Sequence, residues 1–228
     1  MKSLFFLLFL LFGFTSCKKN TERVFLFNPK TTKKYSINLE SNRFKLNNQA
    51  TCNFKKISDK VEMTLKVTDI EYKSDLNPEE NNSNSQDLTD NTFTTLFDKY
   101  GNVATNDHTT QPRRLINPEL LVIQFPKNKM KVGNIWYNKK SALPDLIFKV
   151  INVRYECTKI SSEGCTVNVE MVFKNKVEND DIINSMTKVY KGTYFVKNDG
   201  VVKNATLQIS GFSGFSTISG TLKIREIE

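Results

Sequence analysis

Nucleophiles, bases and soft ligands are scarce in this chain, and their spacing decides what they can do. There are four cysteines, Cys17, Cys52, Cys157 and Cys165, and one histidine, His108. No cysteine pair has the C-x-x-C spacing of a zinc or redox site, and one histidine completes no metal set. A Ser–His–Asp or Cys–His centre would need His108 as its base. That residue lies in the polar run Asn106-Asp107-His108-Thr109-Thr110, which reads as a solvent-exposed loop. No G-x-S-x-G, phosphate loop or G-x-G-x-x-G occurs. Gly211-Phe212-Ser213-Gly214-Phe215-Ser216 reads as a turn or rim between strands, with Phe212 and Phe215 as candidate ligand contacts. Asp180-Asp181 reads as the acidic start of a short helix over 179–188 rather than a cation site. The chain is therefore expected to have no catalytic residue, no metal and no cofactor. Two carboxylates brought together from distant positions are one route left to an enzyme. A hydrolase without a recognisable motif is accordingly the third reading of function.

The cysteines serve better as anchor and staple. Lys2, the apolar run Leu4–Phe12 and the small residues before Cys17 have the order of a secretory signal peptide. Nine apolar residues are too few for a spanning helix. Gly13-Phe14-Thr15-Ser16-Cys17 resembles the lipobox of bacterial lipoproteins, with Phe14 where that family usually carries Leu. The resemblance implies a signal peptide over 1–16 and lipidation of Cys17. Several acyl chains, at about 0.8 kcal/mol per buried CH₂, would hold a domain on a membrane indefinitely. Residues 17–30 then read as the lipidated cysteine and a tether. No Asp follows Cys17 and no acidic run follows the anchor. By the sorting habits of such lipoproteins, this implies an outer-membrane protein facing the periplasm. That compartment permits disulfides. Cys157 and Cys165 flank Ser161-Ser162-Glu163-Gly164 and are the candidate disulfide across a hairpin. With three cysteines besides Cys17, at least one thiol is left over, and other pairings stay open.

The remaining residues, 31–228, read as one β-rich domain. Val61, Met63, Leu65 and Val67 alternate with Glu62, Thr64 and Lys66. Cys165, Val167, Val169, Met171 and Phe173 alternate with Thr166, Asn168 and Glu170. A period of two buries one face of a strand and wets the other. Ile70 and Tyr72 shift phase, which predicts a bulge. Asn198-Asp199-Gly200 between two alternating runs predicts a hairpin. Residues 74–92 are polar, rich in Asn, Ser and acidic residues, and read as a loop. About ten strands follow. The predicted fold is all-β: a mainly antiparallel sheet as half-barrel, barrel or sandwich, with at most one or two short helices. Lys56-Ile57-Ser58-Asp59 is echoed by Lys159-Ile160-Ser161-Ser162, and each is followed by a glycine turn, at Gly101 and Gly200. This suggests two halves of similar plan.

Formal charge is +9. No dense basic block is present, so the lysines read as solubilising and edge-guarding charges rather than a nucleic-acid surface. The segment Phe125-Pro126-Lys127-Asn128-Lys129-Met130-Lys131-Val132-Gly133-Asn134-Ile135-Trp136 resembles one found in uncharacterised Bacteroidota lipoproteins. The richness in Asn, Lys, Ile and Phe is compositionally consistent with that source. The resemblance implies that Val-Gly makes a tight turn and Trp begins the next strand; it carries no catalytic residues with it. Trp136 fills core volume or stacks on a ligand. The expected partners are a membrane, through the lipid on Cys17, and either an apolar small molecule or another envelope protein. Two functional readings stand close together. One is a lipoprotein holding a hydrophobic ligand or lipid on a concave sheet; the other is a non-enzymatic interaction module. A packed core without a cavity favours the second.

Overall fold

The computed structural model describes residues 22–42, 44–74, 92–106, 118–138, 148–175, 187–213 and 216–227. Among them the chain forms eleven strands, β1 (Lys33–Ser41), β2 (Phe44–Ile57), β3 (Lys60–Ser74), β4 (Thr92–Phe97), β5 (Val103–Asn106), β6 (Ile135–Asn138), β7 (Phe148–Ile160), β8 (Gly164–Asn175), β9 (Thr187–Lys197), β10 (Val202–Ser213) and β11 (Ser216–Ile227). All belong to one antiparallel sheet of order β5-β4-β3-β2-β1-β11-β10-β9-β8-β7-β6. The expected all-β antiparallel architecture is present, with one strand more than the ten predicted. A 3-10 turn at Pro118–Leu121 is the helical element among the described residues. Residues 179–186 of the expected short helix lie outside the described residues; Thr187 and Lys188 open β9.

The sheet is rolled rather than flat. Ten steps of about 4.8 Å would hold the edge strands β5 and β6 roughly 48 Å apart in a flat sheet. Instead Asn138 Nδ2, at the end of β6, donates to Asn102 Oδ1, just before β5, at 3.3 Å. Among the described residues the seam between β5 and β6 carries no ladder, which leaves an open barrel.

The predicted alternations hold. Val61, Met63, Leu65 and Val67 are buried on β3, and Cys165, Val167, Val169, Met171 and Phe173 on β8. The β2–β3 register passes from Gln49↔Asp69 to Ala50↔Val67, so Thr68 is the extra residue of the predicted bulge. It switches phase and brings Ile70 inside. The two-halves echo falls on matching hairpins: Ser58-Asp59 joins β2 to β3 as Ser161–Glu163 joins β7 to β8. Asp98–Asn102 joins β4 to β5 as Asn198–Val201 joins β9 to β10. Strands β1–β5 and β6–β10 thus run the same course, and β11 closes the one onto the other by pairing with β1, Ile37 opposite Ile224. In this antiparallel course these four turns lie on one rim, where β1 and β6 also begin and β11 ends.

Candidate functional site

The concave face is where a carrier would hold its ligand. Two segments of the chain itself fill it. In the first, residues 22–30, Phe25 and Phe27 point inward and are 3% and 1% exposed, while Val24 and Leu26 point out. Arg23 exchanges backbone hydrogen bonds with Met130 (N to O, 2.9 and 2.7 Å). Phe27 N–H donates to Lys99 O, and Asn28 N–H to Asp199 O. This corrects the sequence reading: residues 22–30 are part of the fold, not tether. The continuous apolar run Val24-Phe25-Leu26-Phe27 is the signal, hidden by the basic residues before it. Burying each phenylalanine is worth about 2–3 kcal/mol against leaving it in water.

The second segment, 118–134, brings in Leu121, Val122, Ile123, Phe125 and Met130, all buried. Val122 pairs with Val201 as an isolated bridge. Phe125 N–H donates to Tyr100 O at 2.8 Å, and its ring stacks on Phe25 at 5.6 Å. Each segment therefore touches turns from both halves of the sheet. A gap of about 30 Å³ lies beneath them, bordered by Phe97, Gly101, Val122, Gln124 and Tyr155. That is room for about one water molecule. Deeper in the sheet, Tyr35 Oη donates to Val202 O at 2.9 Å. Asn48, 2% exposed, has no hydrogen-bond partner for its Oδ1.

Trp136 belongs to this packing. Its Nε1–H donates to Gln124 O at 2.7 Å, and its ring stacks at 5.3 Å and 18° on Tyr155, its partner across the β6–β7 pair. The Val132-Gly133 turn before it forms as expected, with Gly133 at φ +88°. Ile135 and Tyr137, on the other face of β6, are exposed.

The described cysteines are Cys52, Cys157 and Cys165, all buried and all free thiols. Cys157 and Cys165 share the inner face of one hairpin, as the disulfide reading needs. The register offsets them, however. Cys157 lies opposite Val167 and Cys165 opposite Ile160, with an irregularity between Cys157 and Lys159. Burial, and then the neighbouring Cys157, push the Cys165 thiol up to about 12. Burial also raises the Cys52 and Cys157 thiols. Thiols held protonated are poor nucleophiles and poor metal ligands. Among the described residues no three Cys, His, Asp or Glu side chains group as metal ligands. Cys17, His108, Phe215, Asp180 and Asp181 lie outside the described residues, as does the side chain of Phe212.

Sequence reading missed one charged cluster. At the rim where β1 begins, Glu226 of β11 takes Lys197 Nζ at 3.0 and 2.9 Å and Lys33 Nζ at 3.3 Å. The lysines come from β9 and β1, and no local pattern links the three. Burial alone would raise the Glu226 carboxyl. The Lys197 and Lys33 ammoniums outweigh it and hold the carboxyl below its ordinary value of 4.5. A depressed folded value means stability that is complete above the unfolded value and lost as pH falls through the folded one. Glu226→Gln is therefore expected to destabilise most at neutral pH. Its difference from wild type in urea midpoint should shrink as pH falls through the depressed folded value of the Glu226 carboxyl. A difference that stays constant with pH would refute this.

No protein-family model, curated protein or solved structure matches this chain. The fold itself defines the class: an open, eleven-stranded antiparallel barrel plugged by its own chain.

Proposed function

We propose that the chain is a lipid-anchored envelope protein, lipidated on Cys17 and facing the periplasm from the outer membrane, whose folded domain is a non-catalytic binding module. The filled concave face carries this reading. A site for a lipid or similar apolar molecule takes about 300–1,000 Å³, whereas the gap beside Phe97, Gln124 and Tyr155 beneath the plugging segments holds about 30 Å³. The inner surface is spent on the chain's own Phe25, Phe27, Ile123 and Phe125. Recognition is then left to the outer surface and rims. A rigid sheet that carries its contacts on connecting segments is a common plan for binding modules.

The test is native mass spectrometry of the Cys17→Ala protein purified from a periplasmic expression host, followed by solvent extraction. The expected result is a protein mass with nothing apolar attached. A stoichiometric apolar molecule in the extract would restore the carrier reading and overturn this one.

A further inference from the structure

We propose that the rim cleft beside Glu226 binds a phosphate-type oxyanion. The cleft is open, about 520 Å³, and bordered chiefly by Thr32, Lys33, Lys34, Lys197, Lys203 and Glu226. It forms where the chain enters β1, β9 turns into β10, and β11 ends. Four lysines and one carboxylate therefore border it, with the Lys33 and Lys197 ammoniums on Glu226 and the Lys203 Nζ 5.9 Å from the Phe195 ring centroid. Lysines scattered for solubility keep their stems and heads in water, but Lys33 does not: its side chain is 13% exposed and that of Glu226 is 16%. Lys33 and Lys197 share the single Glu226 carboxylate, which leaves one positive charge of that trio unmatched. Lys34 and Lys203, both exposed, add two more. Asp199, in the β9–β10 turn, returns one negative charge, and its Oδ1 accepts from Val201 N–H at 3.2 Å. The balance remains positive in a concave site, which concentrates anions.

The chemistry of the lining selects the class of anion. Lysine binds phosphate as a point charge, and a tetrahedral oxyanion offers oxygens in several directions at once. Lysines that border the cleft from β1, β9 and β10 suit that shape better than a planar carboxylate. Among the described residues no aromatic side chain borders the cleft itself, which disfavours a nucleobase as the ligand. A free phosphate and the phosphoryl headgroup of a lipid present the same chemistry.

Isothermal titration of the full chain in a neutral detergent separates these sources. The probes are inorganic phosphate, glycerol 3-phosphate and dihexanoyl phosphatidylglycerol, with dihexanoyl phosphatidylcholine as the uptake control. One-to-one saturable binding is expected, weakening with salt. The Lys34→Gln/Lys203→Gln double variant is expected to bind about tenfold or more weakly, a loss of about 1.4 kcal/mol or more. Both residues are exposed, so the fold survives their loss. Lys197→Gln tests the inner pair. Phosphatidylglycerol binding more tightly than the water-soluble phosphates assigns the site to a lipid headgroup; the reverse order assigns it to a free phosphate. No saturable heat with any probe, or binding unchanged in both variants, would overturn the site.

Discussion

Gly101→Val is expected to unfold the protein or to cost it about 3 kcal/mol or more. Two independent terms act there. Gly101 sits at φ +81°, where an L side chain is strained and a β-branched one more so. A Cβ at this position would also lie 2.3 Å from Ile123 O and 3.1 Å from Val122 Cγ1. The first clash is with backbone and has no rotamer to relieve it. The turn cannot easily retreat, because Asp98 Oδ1 accepts from both Tyr100 N–H (2.8 Å) and Asn102 N–H (2.9 Å). The segment that moves is therefore the 118–134 plug.

A paired experiment separates the two terms. Gly133 has the same backbone geometry, φ +88°, with nothing within 4 Å of its Cβ position. Gly133→Ala should cost only the left-handed backbone term, about 1–2 kcal/mol. Gly101→Ala should exceed it clearly in urea denaturation. Gly101→Val should in addition bind a hydrophobic dye, because the plugged face is exposed. Equal losses for the two alanine variants would show that the plug does not rest on this turn.

Cys17→Ala is expected to move the protein wholly from the membrane to the soluble fraction, and to abolish incorporation of labelled fatty acid. Each buried CH₂ contributes about 0.8 kcal/mol, so losing several acyl chains removes tens of kcal/mol of membrane affinity. The folded part supplies no substitute of one kind: no helix among the described residues is long and apolar enough to cross a membrane. Fractionation of cells expressing both forms, with alkaline carbonate washing, reads the outcome. Unchanged membrane association of the variant would sink the anchor reading. The thiols of the domain do not confuse the labelling, because Cys52, Cys157 and Cys165 are all buried.

Features confined to one strand or one turn were legible in the sequence. The alternations of β3 and β8, the bulge at Thr68 and the Asn198-Asp199-Gly200 turn each follow from a few adjacent residues. The matched hairpins of the two halves showed as a repeated Lys-Ile-Ser. Contacts between distant residues were not legible. Nothing near Lys33 announces Glu226, and nothing near Phe27 announces the Lys99 carbonyl that receives its N–H. Residues 22–30 read as tether in sequence because their polar surroundings outweigh two phenylalanines. Only the turns they dock on reveal that those rings have a place to go. Trp136 left two roles open in sequence. Its hydrogen bond to Gln124 O commits the indole N–H to the plug.

The pairing of β1 with β11 has a consequence for how the molecule comes into being. The strands at the open edges come from the middle of the chain, and the seam at the centre of the sheet joins its first strand to its last. Each five-strand arm is a meander that zips through neighbours in sequence, which is fast. The central ladder closes a loop of nearly the whole domain, and such non-local pairing is slow. A chain delivered N-terminus first, by a ribosome or a translocase, therefore holds β1 with one bare side until β11 arrives. Until then Ile37 and Leu39 have no cross-strand partners in Ile224 and Leu222. Delivery is thus coupled to completion: the barrel cannot lock before its final strand has emerged. A product cut short before residue 216 would expose two unsatisfied strand edges, β1 and β10, as templates for aggregation.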